Sequence, residues 1–267
     1  MEKQFATMGD GCRIAWRFDG PEDAPVLLLS NSLGTDMGMW APQMEGLAKH
    51  FGVLRYDQRG HGRSDAPPGG YSMDRLGCDA VELLDALKIE KVDFCGLSLG
   101  GMTGQWLGIR APNRLRRLIL ANTSSYMGPP SAWNARIALV RNEGMAPLAQ
   151  ASVDRWFTPA FAATGHDAIA PIVAMLQSTD PQGYAGCCAA IRDMDMRDMV
   201  SLIKVPTLVI GGNLDPATPL SHSQDLAGAI DGAKLLTLNA AHLSNVELPD
   251  AFLDGILGML LERTINP

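Results

Sequence analysis

Short runs of apolar, β-prone residues alternate along this chain with longer stretches in which apolar positions recur every three to four residues. That order predicts a largely parallel sheet covered by helices on both faces, an α/β fold. Arg13 to Phe18 predicts an early strand, closed by the turn signals Gly20-Pro21 and Pro25. Val26-Leu27-Leu28-Leu29-Ser30 is almost continuously apolar, as a strand buried on both faces requires. Val53 to Tyr56 predicts another strand, followed by a Gly-rich loop from Asp57 to Ser64. Within Met73 to Leu87 the residues Leu76, Val81, Leu83, Leu84 and Leu87 fall at helical spacing. Val92 to Cys95 predicts a strand, Met102 to Arg110 a helix ended by Pro112, and Leu115 to Ala121 a further strand.

From about Thr123 to Met199 the alternation stops, and the patterns become helical around Trp133, Trp156 and many methionines. Strand character returns at Thr207 to Ile210. A helix follows near Leu220 to Ile230, the last strand at Ala233 to Leu238, and an apolar-faced helix at Phe252 to Leu261. The expected organisation is one α/β core made of residues 1–122 and 200–267, with a helical cap inserted at 123–199.

Composition narrows the class. Hydrophobic residues make up 46% of the 267 and charged residues 19%, which is globular rather than disordered. The net charge is −7 with no basic block, which argues against a nucleic-acid partner. It also means that an acidic substrate needs local arginine or lysine. No apolar stretch near Met1 is long enough for a signal peptide and no run approaches a membrane span, so no membrane association is expected. Five cysteines, odd in number and without C-x-x-C spacing, suggest neither a disulfide framework nor a zinc site; reduced thiols in a cytoplasmic protein fit them best. Cys187-Cys188 reads as two small buried residues on a helix. H-E-x-x-H is absent, and Asp193, Asp195 and Asp198 lack the glycine and glutamate of a calcium loop, reading instead as a solvated helix face. No phosphate loop with lysine is present, so neither metal nor cofactor is expected. Nothing in the pattern indicates an oligomeric state.

The chemistry is carried by Gly96-Leu97-Ser98-Leu99-Gly100, directly after an apolar strand and directly before a helix. That context is the one a nucleophile elbow of an α/β hydrolase requires, with glycines where flanking side chains would clash. A serine hydroxyl is a weak nucleophile at neutral pH and needs a base. Of five histidines only His242 follows the last strand, where the chain order Ser, Asp or Glu, His places the base. His222 reads as a surface residue and His61 as structural. The acid is Asp215, in the turn after the strand ending at Ile210; the alternative strand end bears Asn122. The oxyanion formed on attack needs preorganised donors, expected from the backbone N–H groups of Leu99 and of Leu33 in the Asn31-Ser32-Leu33-Gly34 loop. The triad alone names no substrate: a general carboxylesterase, a C–C bond hydrolase and a non-catalytic ligand receptor on the same fold all stay open here.

The loop and elbow motifs, together with Arg155-Trp156-Phe157-Thr158, Gly183-Tyr184-Ala185-Gly186-Cys187-Cys188 and Ala240-Ala241-His242-Leu243-Ser244-Asn245, run over nearly the whole chain. In them the chain resembles the 3-oxoadipate enol-lactonases (β-ketoadipate enol-lactone hydrolases) of bacterial aromatic catabolism. The resemblance implies cofactor-free opening of an anionic lactone, 3-oxoadipate enol-lactone, to 3-oxoadipate. The carboxylate of that substrate calls for an arginine, whose planar fork binds both oxygens. Arg136, Arg141, Arg155 and Arg192 are the candidates in the cap, and Arg136 beside Trp133 is the choice.

Overall fold

The computed structural model of the chain describes residues 4–261, so the outermost ends of the expected core segments lie outside the described residues. Eight strands form one sheet: β1 (Gln4–Thr7), β2 (Arg13–Asp19), β3 (Val26–Ser30), β4 (Gly52–Tyr56), β5 (Val92–Leu97), β6 (Leu115–Ala121), β7 (Thr207–Gly212) and β8 (Lys234–Leu238). Their order is β1-β2-β4-β3-β5-β6-β7-β8. The two pairings that involve β2 are antiparallel, and every pairing from β4 across to β8 is parallel. The burial follows from the sequence pattern. β4 and β5 are buried at every residue, as central parallel strands must be, whereas the edge strand β8 leaves Lys234 and Leu235 exposed.

Helices α1 (Ala41–Leu47), α2 (Met73–Ala86) and α3 (Leu99–Arg110) come from the first half of the chain. α2 starts where the Ser72 hydroxyl accepts the Arg75 N–H, and its buried stripe includes Leu76, Ala80, Leu83 and Leu84. Each such leucine removed from water contributes roughly 2 kcal/mol.

Between β6 and β7 runs a helical segment made of α4 (Pro130–Glu143), α5 (Ala149–Trp156), α6 (Pro159–Thr164), α7 (His166–Ser178) and α8 (Pro181–Asp193). The core closes with α9 (Leu220–Ala229), α10 (Ser244–Glu247) and α11 (Pro249–Leu261), and α11 packs on α1 while α2 packs on α3. The segment sits on the core through a backbone-to-backbone crossing. A Cβ added to Gly60, whose φ is +78°, would lie 2.3 Å from the Gly183 Cα, so neither position tolerates a side chain. Beside this crossing the Tyr71 N–H donates to the Gly186 carbonyl at 3.0 Å. The crossing explains why glycine stands at both Gly60 of the Asp57–Ser64 loop and Gly183 of α8.

Three features depart from the sequence expectations. β1 was not anticipated: its four residues carry almost no pattern of their own and become a strand by pairing with β2, Phe5 against Ala15. α3 begins at Leu99 rather than Met102, because tight packing below the elbow overrides the poor helix propensity of Gly100-Gly101. Asp193, Asp195 and Asp198 do not share a helix face. Asp193 ends α8, Asp195 forms an isolated bridge with Tyr126 and pairs with Arg197, and Asp198 lies in the turn beyond. Cys187 and Cys188 are buried on α8, as expected. Among the described residues no helix is long and apolar enough to cross a membrane.

Candidate active site

The carboxyl ends of the parallel strands deliver the site, as the crevice rule for open α/β sheets requires. β5 runs out at Leu97, and Ser98 occupies the sharp turn before α3 with φ 55° and ψ −114°, a conformation strained for any residue with a side chain. The turn is held on all sides. The Ser98 N–H donates to Ala121 O at 2.9 Å, the Thr123 hydroxyl donates to Ser98 O at 2.8 Å, and the Gly100 N–H donates to Asn31 O at 2.9 Å. A Cβ on Gly96 would lie 2.1 Å from Gly100 O, and one on Gly100 would lie 2.1 Å from Ser30 O. Both flanking glycines are therefore steric requirements of the elbow.

Asp215 follows β7 and is 5% exposed, yet its carboxylate is saturated with donors. Oδ1 accepts the Ala217 and Thr218 N–H groups at 2.8 and 2.9 Å. Oδ2 accepts the Thr218 hydroxyl at 2.7 Å, Asn122 Nδ2 at 3.0 Å and His242 Nδ1 at 2.8 Å. Burial pushes the carboxyl group up, but His242 and these donors outweigh it and hold Asp215 below the ordinary carboxylate value. Nδ1 is committed to Asp215, which leaves Nε2 as the ring's other nitrogen.

Ser98 and His242 line one cavity of about 220 Å³ together with Leu33 and Pro216. Trp133, Arg136, Arg155 and Tyr184 of the helical segment line it from the other side. That volume lies below the range of drug-sized pockets and suits a smaller ligand. The Leu33 and Leu99 amides have no partner among the described residues, while the amides beside Leu33 are occupied: Ser32 N–H faces Met39 Sδ at 3.3 Å and Gly34 N–H donates to His61 Nε2 at 2.9 Å.

Two guanidinium groups reach the cavity. Arg136 lies over the Trp133 ring at 4.9 Å, and Arg155 donates to Ser152 Oγ at 3.2 Å. Burial, and then the neighbouring charge of Arg136, lower the pKa of Arg155. Arg192 is spent on Asp193 and Asn134, and Arg141 is exposed on α4. His222 is half-buried beside a different cavity, and His50 and His166 are exposed. Among the described residues no group of three or more His, Cys, Asp or Glu is placed to hold a metal ion.

Sequence reasoning missed three groups that support the site. Asn122 bonds Asp215, the Ala241 carbonyl at 3.2 Å and Ser244 Oγ at 2.6 Å, so it ties the acid turn to the histidine loop. Thr218 completes Asp215, and Asp-x-x-Thr was a readable signal for such a side-chain-to-backbone turn. Glu247 accepts the Ala241 N–H at 3.0 Å and the Thr158 hydroxyl, joining the histidine loop to the helical segment. Its meeting with Thr158, 89 residues away, has no local signature.

Two family models match the chain: one described as alpha/beta hydrolase fold over residues 25–145, and one described as TAP-like protein over residues 179–245. The 3-oxoadipate enol-lactonase 2 of Acinetobacter baylyi is 43% identical over 233 residues, 87% of each chain. The 3-oxoadipate enol-lactonase 1 of the same organism is 37% identical over 254 residues, 95% of each chain. The crystal structure of the enol-lactonase from Burkholderia xenovorans LB400 superposes with a TM-score of 0.95 at 44% identity, covering 97% of this chain and all of that one (100%).

Proposed function

The chain belongs to the 3-oxoadipate enol-lactonase family of α/β hydrolases, and on that premise we propose that Ser98, His242 and Asp215 carry out the opening of 3-oxoadipate enol-lactone to 3-oxoadipate. The protein is an ester hydrolase of the aromatic-catabolic type. The observation that carries the residue assignment is the fivefold-bonded Asp215 holding His242 Nδ1 at 2.8 Å while Ser98 shares the cavity with that ring.

In this reading His242 Nε2 takes the Ser98 proton as Oγ attacks the ring carbonyl. The oxyanion is met by the Leu33 and Leu99 amides, the second at the N-terminus of α3 where the helix dipole adds to it. The ring C–O bond then breaks. The leaving enolate oxygen is resonance-stabilised, takes the proton that His242 carries and stays tethered to the acyl chain, so nothing departs until water, deprotonated by the freed His242, cleaves the acyl-Ser98 ester and the proton returns to Ser98 Oγ. Helices α4 to α8 act as a cap over the site, and Arg136 binds the substrate carboxylate, supported by its lack of a carboxylate partner among the described residues and its seat on Trp133. The absence of a cofactor requirement follows from the same chemistry, and the free cysteines suit a cytoplasmic setting.

Loss of lactone absorbance, followed for wild type and Ser98→Ala, tests the nucleophile: kcat should fall by about 10⁶-fold. Retained turnover in Ser98→Ala would remove the serine from the reaction. Arg136→Ala should raise KM for the lactone at least about tenfold, the range of a lost charge-assisted hydrogen bond. A neutral ester such as p-nitrophenyl acetate should be hydrolysed as before. Equal effects on both substrates would sink the Arg136 assignment.

A further inference from the structure

One buried histidine takes no part in the chemistry above. His61, in the loop after β4, is 1% exposed. Its Nε2 lies 2.9 Å from the Gly34 N–H, and because that N–H donates, Nε2 carries no proton. The ring proton is then on Nδ1, which faces the Arg59 carbonyl at 3.3 Å with Cys187 Sγ 4.0 Å away. Burial, outweighing the Arg59 carbonyl and the Asp180 charge, brings the His61 pKa down to about 4, so the ring keeps its acceptor through the neutral range.

The bond lands on the loop that carries Leu33. The Ser32–Leu33 peptide is pinned through its carbonyl, which accepts the Thr35 N–H at 3.2 Å and the Thr35 hydroxyl at 2.8 Å. The next peptide, Leu33–Gly34, is pinned through its N–H by His61. The Thr35 bonds close the Ser32–Thr35 turn on itself, and Gly34, with φ +80°, has no side chain to tie it to the core, so the His61 bond is what fixes the turn against the β4 loop. The first pin comes from the loop itself; the second comes from a different element of the core.

We propose that His61 is a positioning residue for the transition state: through Gly34 its Nε2 lone pair anchors the Ser32–Thr35 turn to the β4 loop, so that the Leu33 N–H, on the first peptide of that turn, stays aimed at the oxyanion. This rests on the reading of Leu33 as an oxyanion donor. An oxyanion donor acts on the transition state and not on the bound lactone, so loosening it lowers kcat and spares KM.

The test compares wild type, His61→Gln, which keeps an amide acceptor near the Nε2 position, and His61→Leu, which removes it. Loss of a whole oxyanion donor costs about 10²–10³-fold; misaiming one should lower kcat of His61→Leu by about 30-fold with KM within about twofold. Affinity for a short alkylboronic acid, whose Ser98 adduct places an oxygen where the oxyanion forms, should fall in step, and His61→Gln should recover most of both. A folded His61→Leu with wild-type kcat overturns the proposal, as does a loss in which KM rises and boronate affinity does not move. ¹⁵N spectra of the wild type serve even if His61→Leu fails to fold. An unprotonated Nε2 coupled through the hydrogen bond to the Gly34 amide supports the proposal, and a protonated Nε2 overturns it. The Leu33 amide proton should move downfield when the boronate adds. If it does not move in wild type, the donor assignment of Leu33 fails; if it moves while His61→Leu keeps full kcat, only the role of His61 fails.

Discussion

The serine side and the histidine side of this site are fixed from opposite directions. The Ser98 turn lies between three parallel strands, with Gly100 bonded to the loop after β3 and Ser98 to the end of β6 and to Thr123, and the Asn31–Gly34 loop beside it is braced by His61 from the β4 loop. His242 instead follows β8, the exposed edge of the sheet. Its loop is steadied partly by the core, through Asn122, and partly from the helical segment. The Leu243 N–H donates to the Trp156 carbonyl at 3.0 Å, and Glu247 bridges the Ala241 N–H to Thr158. A central strand supplies neighbours on both sides, so its C-terminal turn can be rigid without outside help. An edge strand has one neighbour, and the residue it presents needs a second support. Here that support comes from helices that also line the cavity shared by Ser98 and His242, which links the position of His242 to the seating of the segment above it.

Changing pH should strain the serine side most. The pKa of His61 is lowered from 6.5 to about 4, so in this group the unfolded chain binds more protons than the folded one as pH falls. Its contribution to stability is full above about pH 6.5 and is lost as pH falls through about 4, a swing of about 3 kcal/mol. Urea titrations at pH 7.5 and pH 4 should show wild type losing about that much more stability than His61→Gln. Parallel losses would mean that the ring is not held neutral by burial.

The histidine side should yield to a smaller cut. Thr158→Val removes the hydroxyl that Glu247 accepts, a charge-assisted bond of the kind that contributes about 1.5–3 kcal/mol. If half of that reaches the base, kcat for the lactone falls about tenfold. The comparison itself is tested by combining Thr158→Val with His61→Leu. Two independently held sides predict kcat losses that multiply, additive in free energy to within about 0.5 kcal/mol. A clear shortfall would show that the two sides are held as one unit rather than two.

Much of the frame could be read from local pattern. β3 begins and ends where its apolar run does, and the apolar run Leu118 to Ala121 closes β6, because the buried stretches of parallel strands must be apolar at nearly every position. The elbow was legible because a turn that tight admits so few sequences. Arg136, Arg141, Arg155 and Arg192 all stood out as candidate arginines, but only the fold shows Arg136 and Arg155 converging on one cavity while Arg141 points outward and Arg192 is paired.

Local pattern alone specified the α/β layering, Ser98 on its strand-to-helix turn, and Asp215 and His242 in that order on later strand ends. Each of these is a short-range demand of backbone sterics or of hydrophobic periodicity. It took the assembled fold to tie Asp215 to the histidine loop through Asn122 and to bring Glu247 to Thr158. That fold alone placed His61 against Gly34. Those contacts join residues between 27 and 122 positions apart. A polar side chain shows its purpose only when the fold brings it a partner, because burial makes that partner obligatory and periodicity does not name it.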